Sequence, residues 1–192
     1  DATYFAMSDF VAPKTSGVKD YVGAFAVSCG FGCEEVCAQL RKENDDYKGI
    51  MMEAVADRLA EAFAELLHYK MRTELWGYAP DEKLTPEDML KTKYQGIRPA
   101  PGYPTQPDHT EKPFMWELLK ADKEANIMLT DSLAMLPAAS VSALCFANEC
   151  STYFQVGKVL KDQIVDYGAR KGQKLEVTEK WMGPYLGYDN SA

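Results

Sequence analysis

The order of elements in this chain predicts an α+β fold with a largely antiparallel sheet. Three observations carry that prediction. Strand-like and helix-like segments are mixed without a regular βαβ alternation, which argues against a doubly wound fold. One stretch, from about Asp46 to Trp76, has the spacing of a long amphipathic helix. Residues 98–108 hold four prolines in eleven positions, which forbids a helix and a central strand there.

Tyr4 to Met7 is a short apolar run ending in Ser8-Asp9, and residues 11–18 read as a loop. Asp20 to Cys29 reads as a strand, because Tyr21, Val22, Phe25 and Val27 favour a pleated surface. Gly30 and Gly32 break it, and a helix follows over 33–43. In the long helix, Met52, Val55, Leu59, Phe63 and Leu66 recur at steps of three and four and predict one apolar, core-facing stripe. Asp45 and Asp46 supply its cap, and Gly77 and Pro80 end it. Thr85 caps a short helix with Pro86 at its first position. A helix over Glu111–Ala125 precedes three predicted strands, at 128–135, 140–147 and 152–158. Lys161–Lys171 is a helix stopped by Gly172, and Val177–Met182 is one stopped by Gly183-Pro184. With no internal repeat and no clear boundary, residues 1–192 are expected to form a single domain.

Composition narrows the function. The formal net charge is −8 and the pI is near 4.9, so the footprint of a general nucleic-acid binder is missing. No apolar run approaches the ~18 residues that span a bilayer. The opening Asp1-Ala2-Thr3-Tyr4 is no signal peptide and lacks a starting Met, so the chain is expected to be cut from a longer one. Cys29, Cys33, Cys37, Cys145 and Cys150 make an odd count, expected as reduced thiols in a cytoplasmic protein. Their spacing fits neither zinc units nor common iron–sulfur motifs, and the core reading is preferred for them. His68 and His109 lie too far apart to suggest a metal site; His68 reads as a satisfied structural residue and His109 as a cap or orienter of the next helix. No nucleophile elbow, P-loop or dinucleotide fingerprint occurs.

Two segments hold usable chemistry. Glu53, Asp57, Glu61 and Glu65 recur every four residues, either as a solvated acidic face or with one carboxylate turned to use, for which a ribose diol is a fitting partner. In the proline-rich segment, Arg98 offers a planar fork for a carboxylate. Gly102 permits a turn or a close approach, and Tyr103 adds a flat face and a hydroxyl. That segment is either a ligand loop or a rigid connector.

The run from Arg98 to Lys112, Arg-Pro-Ala-Pro-Gly-Tyr-Pro-Thr-Gln-Pro-Asp-His-Thr-Glu-Lys, resembles the signature of the C-terminal reactivation domain of cobalamin-dependent methionine synthases. Ser8–Pro13, Asp20–Val27, Asp57–Glu65 and Leu186–Asp189 match in the same order. The resemblance implies a C-shaped α+β domain with a bent antiparallel sheet that binds S-adenosylmethionine (AdoMet). It implies that Arg98 grips the AdoMet carboxylate and that Ala100 and Gly102 lie on the loop whose backbone contacts the ligand. Tyr103 is implied near the methyl group and the corrin, Glu61 on the ribose, and Tyr153 with Phe154 along the pocket wall. No catalytic residue and no metal ligand is implied. The implied function is positioning AdoMet for reductive methylation of oxidised cobalamin, which a neighbouring domain carries and a flavodoxin-like reductase reduces by one electron. Family domains extend upstream of Asp1, so this chain is expected to lack a carboxylate for the ligand's amino group. The alternative is a docking module for the cobalamin domain or the reductase that does not hold AdoMet by itself.

Overall fold

The structure is a computed structural model and describes residues 4–190. Residues 1–3 and 191–192, the two ends of the expected single domain and with them the opening Asp1-Ala2-Thr3, lie outside the described residues. The main elements run β1 (Gly23–Ser28), α1 (Cys33–Lys42), α2 (Asp46–Lys70), α3 (Pro86–Leu90), α4 (Lys112–Leu119), α5 (Ala121–Glu124), β2 (Met128–Leu129), β3 (Met135–Leu136), β4 (Ser140–Cys145), α6 (Lys161–Lys171) and α7 (Leu175–Met182).

The arrangement is α+β with antiparallel pairing, as the sequence predicts. Among the described residues the strands form two separate pairs rather than one sheet. β1 pairs with β4, Gly23 opposite Cys145 and Val27 opposite Val141. β2 pairs with β3. Residues 128–135, expected as one strand, are instead a hairpin reversed by Leu133, at φ +60°, whose N–H donates to the Thr130 carbonyl at 2.8 Å. Residues 152–158 form no strand. They lie along the proline-rich segment, where the Val156 N–H donates to the Pro104 carbonyl at 3.1 Å and Thr105 Oγ1 donates to the Phe154 carbonyl at 2.7 Å. Prolines 99, 101, 104 and 107 carry no N–H, so their segment offers too few donors for a ladder.

Local signals set most helix ends. Asp45 caps α2 by accepting the Lys48 N–H at 3.1 Å. The helix continues as a π-helical turn, Met71–Leu75, and stops at Gly77, whose φ is +73°. Thr85 and Asp88 form a reciprocal capping box at α3. The helix expected over Glu111–Ala125 breaks between α4 and α5 at Lys120, which adopts a left-handed φ of +51°.

The long helix packs by the face opposite to the expected one. Ala56, Ala60 and Ala64, four residues apart, are buried against Phe25, Val27, Val141 and Ala143 of the β1–β4 pair and against Cys33 and Cys37 of α1. Small side chains let the helix axis approach the sheet closely and at native packing density. Met52, Val55, Leu59, Phe63 and Leu66 point outward and are 38–55% exposed. α2 is therefore apolar on both faces. Cys145 joins the same core, whereas Cys150 is exposed in the turn after β4 and does not follow the core reading.

Three smaller cores complete the described domain, one of them Phe10, Ile97 and Phe146 with Phe154 packed against it. Met115, Trp116, Ala121 and Ile127 pack against Ala26 and Leu144 on the other side of the sheet. Val159, Ile164, Met182 and Leu186 hold α6 and α7 together. Lys171 ties this C-terminal pair to the rest: its ammonium reaches Asp108 at 2.6 Å and Glu111 at 2.5 Å. Burial pushes the Asp108 carboxyl up, but Lys171, Tyr167 and Thr110 more than offset that and hold it below the usual carboxylate range.

Candidate functional site

The proline-rich segment is fastened to the outer edge of β4. Ile97 and Phe146 exchange backbone bonds at 3.0 and 2.9 Å, and the Leu144 N–H donates to the Pro99 carbonyl at 3.0 Å. Gly96 makes this approach possible: its φ is +86°, and a Cβ there would come within 2.3 Å of the Phe146 carbonyl oxygen. Arg98 sits between two tied residues, and its own N–H donates to the Tyr153 hydroxyl at 3.0 Å. The backbone under the guanidinium is thus held from three directions.

Beyond Arg98 the segment turns tightly. The Tyr103 N–H donates to the Ala100 carbonyl at 3.2 Å, and the Gln106 N–H to the Tyr103 carbonyl at 2.9 Å. Gly102 has a φ of +101°, and a Cβ there would strike the His109 ring at 2.3 Å. His109 therefore props the loop from behind. Its Nδ1 lies 3.2 Å from the Lys112 ammonium.

The Arg98 side chain is only 17% exposed, and its Nη2 lies 3.2 Å from Glu65 Oε2 and 4.0 Å from Glu61 Oε2. Burial works against the guanidinium charge, but the adjacent Glu65 carboxylate, with Tyr153 and Tyr94 adding to it, more than offsets that and holds the pKa above the ordinary arginine value. Arg98 Nε and Glu65 Oε1 are buried without a hydrogen-bond partner among the described residues. Of the acidic series on α2, Glu53 is spent on Arg41 and Glu65 on Arg98, while Glu61 is 49% exposed.

A cavity of about 440 Å³ opens beside this cluster. Glu61, Arg98, Ala100, Tyr103, Tyr153 and Phe154 all line it, together with Pro104, Thr105 and Gln155. Its size suits a small-molecule ligand. Six of the seven residues singled out from the sequence are thus brought to one place. The seventh, Gly102, does not line the cavity and faces His109. The sequence reading missed Glu65, Thr105 and Gln155. Glu65 belongs to the acidic series, one turn after Glu61, but nothing in that spacing says which carboxylate meets Arg98.

Behind the site, Tyr94 is buried close to Tyr153, which adds to burial in raising its pKa, and the Arg72 guanidinium lies 4.2 Å from its ring centre. Arg72 is fully buried and makes a two-pronged pair with Glu82 at 2.7 and 2.8 Å. His68 is also fully buried and meets the Tyr94 ring edge-on at 5.0 Å. It is not the satisfied histidine expected, since neither ring nitrogen has a hydrogen-bond partner among the described residues. Burial, with the charges of Arg72 and Arg98 adding to it, lowers its pKa to about 3. Among the described residues, no group of three or more His, Cys, Asp or Glu side chains converges on a point that could hold a metal ion. No helix among them is long and apolar enough to cross a membrane.

Comparison with known proteins places this geometry in a lineage. The chain is similar to a solved structure, the crystal structure of the MetH reactivation domain bound to AdoHcy, with a TM-score of 0.94 and 49% sequence identity. The match covers 98% of this chain and 59% of that one, so the chain spans about three-fifths of its relative's length. Residues 1–172 match the model of the activation domain of vitamin B12-dependent methionine synthases. The chain therefore belongs to the vitamin B12-dependent methionine synthase activation-domain family.

Proposed function

We propose that the cavity beside Arg98 holds AdoMet and that the domain presents the ligand's methyl group for reactivation of cobalamin in a methionine synthase. The observation that carries this reading is one cavity lined by a fixed guanidinium, a half-free carboxylate and three aromatic residues. Those are the partners a nucleoside-bearing amino acid needs. The Arg98 fork pairs with the ligand carboxylate. Glu61 accepts from the ribose hydroxyls. Tyr153 and Phe154 give the purine flat faces to rest on. Ala100 and Gly102 shape the loop that carries backbone groups to the ligand, and exposed Tyr103 stands at the mouth, on the side of the methyl group.

The domain's work is positioning and exclusion of water, since a sulfonium is already a good leaving group. As the methyl group leaves, the S–C bond electrons stay on sulfur and AdoHcy remains. A cobalamin carried by a neighbouring domain and reduced by a flavodoxin-like partner would supply the methyl-accepting nucleophile; the part of Arg98, Glu61, Tyr153 and Phe154 is to hold the sulfonium in place for it. The isolated domain holds the ligand but does not turn over alone. Its cysteines are all free, in keeping with a cytoplasmic, reducing setting.

Calorimetric titration of AdoMet and AdoHcy into the chain and into its Arg98→Ala variant tests the reading. Removal of a charged hydrogen-bonding partner is expected to weaken binding about tenfold to a hundredfold. Equal affinity in the two chains rejects the site. A second reading, a docking module for the cobalamin domain or the reductase, is favoured by the outward apolar face of α2. On that reading the chain binds neither ligand, and Leu59→Gln weakens its co-elution with the partner.

A further inference from the structure

Two carboxylates stand one helical turn apart on α2 beside the same guanidinium, and they are not equivalent. Glu65 is 29% exposed and its Oε2 is 3.2 Å from Arg98 Nη2; Glu61 is 49% exposed and 4.0 Å away. The atoms left buried and unpaired at the closer pair are Arg98 Nε and Glu65 Oε1. Nε and Nη2 form one edge of the guanidinium, and a carboxylate can take that edge with both oxygens. The Glu65–Arg98 pair is thus one bond short of a two-pronged contact. The end of the fork, Nη1 with Nη2, is the other edge able to receive a carboxylate. Arg98 is on a long flexible stem, and its backbone is already fixed through Tyr153. What the backbone cannot set is the rotation of the fork.

We propose that Glu65 is a positioning residue for Arg98: its bond to Nη2 holds the fork from one side and so aims the free end of the guanidinium at the carboxylate of the ligand. Glu61, farther away and more exposed, stays free to meet the ligand directly. This division of labour rests on the AdoMet reading of the cavity. It assigns the acidic series of α2 two separate tasks that its even spacing does not distinguish.

The test compares two ligands on three chains. AdoHcy carries an amino-acid carboxylate, and 5′-methylthioadenosine keeps the nucleoside but lacks that carboxylate. Each is titrated calorimetrically into the unaltered chain, Glu65→Gln and Arg98→Ala. Glu65→Gln is expected to weaken AdoHcy about tenfold, the scale of one charge-assisted contact, while methylthioadenosine stays within about twofold. Arg98→Ala is expected to give the same selective loss, larger in size. If Glu65→Gln binds AdoHcy as tightly or more tightly, the inference is overturned, because Glu65 then ignores Arg98 or competes for it. Equal losses for both ligands overturn it too, because Glu65 then supports the helix rather than the fork. If Arg98→Ala leaves AdoHcy unchanged, or the unaltered chain does not bind it, the reading of the cavity fails first and the inference falls with it.

Discussion

The hydroxyl of Tyr153 accepts the backbone N–H of Arg98 at 3.0 Å, across 55 residues of chain. It joins the aromatic wall of the cavity to its guanidinium corner. Neither segment is part of a β-strand, so their register rests on this bond together with the Val156–Pro104 and Thr105–Phe154 bonds. Tyr94, buried on the far side, lies close to the same tyrosine and carries the buried Arg72 against its ring. A line of contacts thus runs from the π-helical turn after α2 to the candidate site.

Tyr153→Phe keeps the ring and deletes this acceptor. Loss of one neutral hydrogen bond is expected to weaken AdoHcy about threefold to tenfold, with little change in melting temperature. Calorimetry alongside a thermal melt checks both halves. Unchanged affinity means that the bond does not position Arg98.

His68 makes the domain sensitive to acid. Its folded pKa, about 3, lies below the ordinary 6.5, so the unfolded chain takes up a proton that the folded chain refuses. Stability from this group is complete above pH 6.5 and is lost as pH falls toward 3, at about 1.4 kcal/mol per pH unit. Because neither ring nitrogen is hydrogen-bonded, His68→Leu is expected to be no less stable at pH 7 and to have a shallower stability slope between pH 6 and 4.5. Denaturant unfolding of both chains across that range measures the difference. Parallel slopes would count against a buried neutral imidazole.

The two faces of α2 are expected to respond oppositely to size and polarity. Ala60 is buried against the sheet, and Ala60→Leu overpacks that contact at a cost of about 1–3 kcal/mol. Leu59, its neighbour in sequence, is exposed, and Leu59→Gln is expected to shift stability by no more than about 0.5 kcal/mol. Chemical denaturation of the two variants decides which face is the inner one. A larger loss for Leu59→Gln would reverse the assignment.

Much of the local structure is legible in the chain because its causes act over a few residues. Asp45 caps α2, Thr85 and Pro86 open α3, and Gly172 ends α6 with a φ of +69°, each through bonds or dihedral freedom that lie within one turn. The proline-rich segment likewise had to be neither helix nor central strand, since its residues lack the N–H groups either requires. The specific run beginning at Arg98 pointed to the family that the comparisons identify.

Other features depended on what the chain packs against. Helical periodicity marks two apolar faces on α2, one large and one small, and hydrophobicity favours the large one. The sheet selects the small one, because only Ala56, Ala60 and Ala64 let the helix approach β1 and β4 closely. Residues 152–158 have the composition of a strand, yet the donors that would pair them are missing from the prolines beside them. Glu61 and Glu65 are equals in the sequence, four residues apart, and become unequal only where Arg98 comes to rest 3.2 Å from one and 4.0 Å from the other. The sequence by itself determined where α2 and α3 start, where α6 stops and which residue types could serve a ligand. Only the tertiary structure decided which face is buried and which carboxylate meets the guanidinium, because both depend on distances between segments far apart in the chain.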